Sequence, residues 1–352
     1  MLSLDTKRGS GINGMTGRGW VSILLIGAVI LAVVLFAPQV PLLIFAGILV
    51  AVFLRGAGGG IGRLTGIGSG WGLLVFSLLL LVMIVLFFTN ASQALFQQFA
   101  QLLAQLPSAI DRLEGMVNDN PWMQQVRQRI DFESLIPSGM GALSTVSSTI
   151  GVFGNLFLVA FIGIYAAVSP GIYQRGLVAL VAPELRPRVQ RMMTDSGAAM
   201  RSWLTAQLGS MMVIGVLTFT GLTILGIPLA LILAVLAGVM TFVPNIGPVV
   251  AAVPALLLGL SQGLDTVGLI LGLYVVVQAI ESYLVTPRLQ QELVSLPPAL
   301  TISFQLMLGY LFGLLGFALA TPLLAVVMTL ANKHYITDYL EEGQTSSTSS
   351  SP

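Results

Sequence analysis

No cysteine occurs among the 352 residues, which excludes disulfides, thiolate nucleophiles and cysteine-held metals and leaves the redox compartment unmarked. Histidine is reduced to His334, set among polar residues near the C-terminus, where a solvated surface role outweighs that of ligand or base. Charge is nearly as scarce, at 8% of residues against about 25% in a soluble domain. Fifteen basic and fourteen acidic side chains leave a net charge of +1, neither a field to hold nucleic acid nor an acidic excess to keep a chain solvated. An intramembrane enzyme needs two facing aspartates, or a serine with a basic partner, inside its spans. No span pairs aspartates, so no catalytic residue, metal ligand or cofactor is expected. The glycine-rich stretch 56–72 reads as a loop, and without a following Lys-Ser or Lys-Thr it is not a phosphate cradle.

What remains is apolar: 56% of the chain, gathered into runs long enough to cross a bilayer core of about 30 Å. The runs at 20–36 and 41–54 form a pair separated by Pro38 and Pro41, whose missing N–H groups interrupt a helix. Residues 71–89, 150–168, 208–225 and 266–285 are further single spans. Two runs, 229–260 and 299–331, are too long for one ordinary span and carry helix breakers near the middle. These features predict an all-α, polytopic transmembrane helical bundle of about eight membrane segments.

Basic bias assigns the sides. Lys7, Arg8 and Arg18, then Arg55 and Arg63, put the N-terminal tail and the second connection in the cytoplasm. Segment 90–149, with three arginines against five carboxylates, reads as external, and the next connection, with five arginines against two carboxylates, as cytoplasmic. Both termini are then cytoplasmic in a bacterial inner membrane. Within the external segment Leu95, Phe99, Leu102, Leu106, Ile110, Leu113 and Val117 recur at steps of three and four, with glutamines opposite, which predicts an amphipathic helix. It has three possible seats: the membrane surface, a neighbouring subunit or its own subunit. The Ser/Thr-rich end, 343–352, is expected to be disordered.

A shift of 69 residues lays Pro228 on Pro297, Ala230 on Ala299, Leu231 on Leu300, Gly247 on Gly316 and Ala251 on Ala320. In each copy one span precedes one over-long broken run. If each broken run is a hairpin returning to its own side, the two copies are inverted, as in secondary transporters that hold a site at the midplane. Two plain tilted spans are the alternative.

Three places could carry chemistry. Residues 241–248, Thr-Phe-Val-Pro-Asn-Ile-Gly-Pro, free backbone carbonyls through Pro244, Gly247 and Pro248, and Asn245 adds an amide; the competing reading is a surface turn. Glu281, with Gln278 and Tyr283 nearby, stands near the end of an apolar span, where an acidic group costs about 2.5–3.5 kcal/mol if it faces lipid at the bilayer centre. It is either a proton-coupling group or an interfacial carboxylate paired with Arg288, two turns on if the helix survives Pro287. Gly309, Gly313 and Gly316 form one small-residue face and Gly268 with Gly272 a second, both suited to close helix approach.

Taken in order, Pro244-Asn-Ile-Gly-Pro248, Glu281-Ser-Tyr-Leu-Val-Thr-Pro287, Leu296-Pro-Pro298, Phe312-Gly-Leu-Leu-Gly316 and Ala320-Thr-Pro322 resemble the autoinducer-2 exporter family of bacterial permeases. The resemblance implies a homo-oligomeric exporter of a small molecule, and carries Pro244, Gly247, Pro248, Glu281, Pro287, Gly313, Gly316 and Pro322 over as family positions. A cation/proton antiporter is the alternative, weakened by the lack of intramembrane carboxylates besides Glu281, and a non-transporting scaffold is a third reading. The chain divides accordingly into 1–89 (tail and three spans), 90–149 (external helix), 150–207 (fourth span and connection), 208–332 (transport core) and 333–352 (tail). Asn245, Gly247, Gln278, Glu281 and Tyr283 are expected on the solute or ion pathway, and Pro244, Pro248, Pro287, Gly313, Gly316 and Pro322 at helix breaks.

Overall fold

A computed structural model of the chain describes residues 35–86, 92–119, 142–289 and 296–333, together with Thr89 and scattered positions between 24 and 33. The first expected span, His334 and the Ser/Thr-rich end lie largely or wholly outside the described residues. Among the described residues the α-helices are, in order, α1 Gln39–Thr65, α2 Ser69–Leu86, α3 Ser92–Asp119, α4 Ala142–Val168, α5 Pro170–Ala179, α6 Arg186–Ile224, α7 Ala230–Met240, α8 Gly247–Leu260, α9 Leu264–Ile280, α10 Thr286–Leu289 and α11 Pro298–Leu330. None of the described residues forms a strand. Among the described residues five segments qualify as membrane-crossing by length and composition, Gln39–Thr65, Ser69–Leu86, Pro183–Ile224, Leu264–Arg288 and Pro298–Lys333, the last of which turns back on itself at Gly313. A sixth is reached if Gly154–Val168 and Pro170–Ala179, bent by 89°, count together. The protein is a polytopic, all-α membrane protein.

The glycine stretch expected to be a loop is helical. α1 runs through it to Thr65, and only Gly66–Gly68 turn, with Gly66 at φ +73°. The glycines face α2: a Cβ at Gly58 would stand 2.6 Å from Leu73 Cα, and one at Gly72 would overlap the Gly58 carbonyl oxygen. Glycine is a poor helix former in isolation, but here its missing side chain lets two backbones touch, and that packing outweighs a propensity cost of about 1 kcal/mol per residue.

The chain forms two compact units: Gly58–Phe157 with Ser202–Glu292, and Met1–Ala57 with Leu158–Arg201 and Leu293–Pro352. In the first, α7 and α8 are the legs of a hairpin. Leu233 clusters with Ala255 and Leu258, and Ala237 with Ala251, so the legs run antiparallel about a turn at 241–246. The amphipathic α3 packs across the base of this hairpin with Leu102 buried in its core, so one face of it is seated on its own subunit. Gln98 Oε1 accepts the N–H of Ile232 at 3.2 Å, at the start of α7, where Leu229 offers no side-chain cap. At the other leg's end, Arg112 donates to the carbonyl of Ser261 at 2.9 Å, placing a cation at the carboxyl end of α8. Gln98 therefore lies on the packed face, not with the other glutamines, and Phe99, expected to be inside, is 44% exposed.

In the second unit, α11 holds a hairpin of its own. Residues 16 apart in a continuous helix are separated by about 24 Å, yet Gln305 Nε2 donates to Thr321 Oγ1 at 3.0 Å. The reversal is at Gly313 (φ 64°, ψ −150°), backbone that is almost exclusive to glycine. Around it the legs nearly touch: a Cβ at Gly309 would meet Phe317 Cδ2 at 2.9 Å, and one at Gly316 would overlap the Leu308 carbonyl oxygen. The small-residue face at 309–316 thus closes a hairpin, whereas Gly268 and Gly272 have open space above them. Elsewhere in this unit α1 and α4 interlock, with a Cβ at Gly163 only 2.6 Å from Val50 Cγ1. Lys333 pairs with Asp195 at 2.9 Å.

Both broken runs are therefore hairpins rather than tilted spans, and their turns, near 244 and at 313, stand 69 residues apart, the spacing of the sequence repeat. Gly247 and Gly316, matched by that shift, occupy the same structural place. A Cβ on Gly247 would overlap the Met240 carbonyl oxygen, just as one on Gly316 would that of Leu308.

Candidate functional site

The turn 241–246 is unwound for reasons written in it. Pro244 cannot donate to the preceding turn, Asn245 takes the left-handed conformation (φ 69°) that asparagine tolerates, and Pro248 opens α8 where an N–H is dispensable. Short bonds, from Val243 N–H to Met240 O (3.0 Å) and from Ile246 N–H to Pro244 O (2.9 Å), hold the loop. The carbonyl of Thr241 is left over, and the Gln207 amide on α6 donates to it. Both residues are buried, and Trp203, one turn earlier on α6, packs edge-on against Phe242. Asn245 itself is exposed and Gly247 buried.

α9 brings the acidic group to this level. Its contacts climb the hairpin from base to turn: Ile270 packs with Leu258, Tyr274 donates to the Ala251 carbonyl at 3.4 Å, and Val277 packs with Ala237 and Ala251. One helical turn beyond Val277 stands Glu281, 9% exposed, its Oε2 accepting from Gln278 Nε2 at 2.8 Å. Within this unit a buried carboxylate, two amides and an unwound backbone therefore share one end of the helix packing. Among the described residues, Glu281 is the one charged side chain that is buried.

The expected alternative partner, Arg288, does not reach it. The helix does survive Pro287, but by widening: residues 281–285 form a π turn in which the Thr286 N–H donates to the Glu281 carbonyl. The carbonyl with which the Pro287 ring would collide, that of Tyr283 four residues back, lies inside this turn, where the wider winding makes room for the ring. One extra residue rotates the rest of the helix by about 100°, so Arg288 leaves the face of Glu281 and is exposed. Tyr283 also points away, 80% exposed. The structure thus joins Gln278 to Glu281, sets Asn245 and Gly247 at the hairpin turn, and leaves Tyr283 outside the group.

Sequence reasoning missed Gln207, Thr218, Gln305 and Thr321. Thr218, on the same face of α6 as Gln207, is buried with its hydroxyl unpartnered. The available signal was the rarity of a glutamine within or beside an apolar run, since polar groups there are retained where they meet other polar groups. Among the described residues no cluster of acidic or histidine side chains could hold a metal.

Comparison with known proteins gives the same reading. YrrI of Bacillus subtilis, named as a candidate transport protein, is 24% identical over 72% of this chain and 77% of its own length. YueF of the same organism, named likewise, is 26% identical over 52% of the chain and 51% of its own. YhhT of Escherichia coli K12, also so named, reaches 33% identity over 32% of each chain. Residues 24–335 match the model of the AI-2E family transporters, nearly the whole chain. The protein belongs to that family and is a multi-pass membrane transporter of a solute.

Proposed function

We propose that the protein exports a small solute from the bacterial cytoplasm, autoinducer-2 or a related signal, and that Glu281 carries the proton that couples export to the gradient. The observation behind this reading is the buried carboxylate held by Gln278 at the level of an unwound hairpin turn. Such a turn exposes backbone that lipid would not tolerate, so it belongs against protein or a watery path. In this reading the two hairpins enter the inner membrane from opposite sides as an inverted repeat, both termini are cytoplasmic, and the working form is a homo-oligomer. A cation/proton antiporter remains the second reading, and the finding of one buried carboxylate among the described residues argues against it.

The test is uptake of labelled autoinducer-2 into inside-out vesicles, with and without an imposed proton gradient, for the wild type and Glu281→Gln. Gradient-driven uptake that falls at least tenfold in the variant supports the proposal. Undiminished uptake in the variant removes Glu281 as the proton site, and no uptake by either protein rejects this solute.

A further inference from the structure

α4 stops at Ser169, Pro170 restarts the chain as α5, and the two axes differ by 89°. With α4 taken as the fourth span, the short helix perpendicular to it lies along the membrane plane. Its composition suits that place. Ile172, Tyr173, Leu177 and Leu180 are 49–67% exposed and follow one another along one stripe of the helix. An apolar stripe that includes a tyrosine fits the boundary between headgroups and acyl chains.

The other face of α5 lines a cavity of about 250 Å³. Gln174 and Arg175 enter it from α5, and Arg186, Gln190 and Thr194 from α6. Both guanidiniums are tethered to backbone, Arg175 Nε donating to Gly171 O at 3.0 Å and Arg186 Nε to Val181 O at 3.2 Å. These bonds use Nε and leave the terminal nitrogens to a ligand. No carboxylate lines the cavity. Asp195, in the adjoining hollow with Arg191, is paired with Lys333.

Two tethered guanidinium groups with the side-chain amides of Gln174 and Gln190 match the oxygens of a phosphate, the Thr194 hydroxyl being spent on the Gln190 carbonyl. The apolar stripe on the same helix supplies what a soluble phosphate compound would have no use for, a seat for acyl chains. We propose that this elbow binds the phosphate headgroup of an anionic phospholipid, Arg175 and Arg186 gripping the phosphate while the lipid's chains run along Ile172, Tyr173 and Leu177. Basic pockets at a membrane boundary recognise such headgroups in general.

The experiment is native mass spectrometry of the delipidated full-length protein titrated with dioleoylphosphatidylglycerol or dioleoylphosphatidylcholine. The expected result is at least fivefold tighter binding of the anionic lipid, lost in the double variant Arg175→Gln/Arg186→Gln and largely kept in Arg175→Lys/Arg186→Lys. Both arginines are exposed, so the variants should keep the wild-type melting temperature, which is measured alongside. Arg63→Gln, an exposed arginine on α1, is the control for unspecific charge. Equal affinity for the two lipids overturns the proposal, as does an equal loss in Arg63→Gln. Displacement of the lipid by millimolar glycerol 3-phosphate would assign the site to soluble phosphates instead.

Discussion

The two hairpins share an outline and differ in what holds them. The α11 hairpin is closed from within: its legs meet at Gly309 and Gly316, it turns on Gly313 alone, and its polar link joins its own legs, Gln305 to Thr321. The α7–α8 hairpin is held from outside. Gln207 of α6 grips its turn, and Gln98 and Arg112 of α3 hold its base. A turn whose carbonyl is satisfied by a side chain from another helix can exchange that partner for a solute, whereas an internally closed hairpin cannot without opening. The difference favours the first hairpin as the seat of the chemistry and gives the second a supporting role.

The largest effect should come from the feature the hairpins share. Gly247→Val and Gly316→Val each drive side-chain atoms into a carbonyl of the opposite leg. Each should destabilise by about 3 kcal/mol, the upper end for overfilled sites, and abolish transport, read as melting temperature and vesicle uptake. If only one of the pair is sensitive, the equivalence of the two glycines fails.

The next variants separate the hairpins. Gln207→Leu leaves the buried Thr241 carbonyl without its amide, at a cost of about 1–3 kcal/mol, and should reduce uptake more than stability alone accounts for. Gln305→Leu strands the buried Thr321 hydroxyl, should likewise cost about 1–3 kcal/mol, and should leave uptake per folded molecule unchanged. Uptake lost equally in both would erase the functional distinction drawn above. The smallest change is at the base: Gln98→Ala removes a cap to α7 and should lower stability by about 1 kcal/mol, seen as faster amide exchange at Ile232 with little change in transport.

Much of this was legible in the sequence. The over-long runs, their breakers and the 69-residue echo pointed to two hairpins, because proline and glycine act on the backbone locally and leave their mark in composition. The helical course of the 56–65 glycines was not legible, since it depends on a partner helix that composition does not reveal. The inward turn of Gln98 depends likewise on an uncapped helix 134 residues away. For Glu281, the span and its breaker could be read, but not its partner: pairing with Arg288 presumed a uniform helix, and the π turn changed the phase between them.

The α11 hairpin is symmetric about a point in the chain. Gln305 and Thr321 lie 16 residues apart with Gly313 midway, and Gly309 and Phe317 flank the same centre. Two of its cross-arm pairs are thus matched by their distance from one glycine, and the third, Gly316 against Leu308, is offset by two positions. Length therefore becomes a coded quantity. Inserting or removing one residue on either arm would leave the apolar character of the segment nearly untouched, yet it would put every cross-arm match out of step.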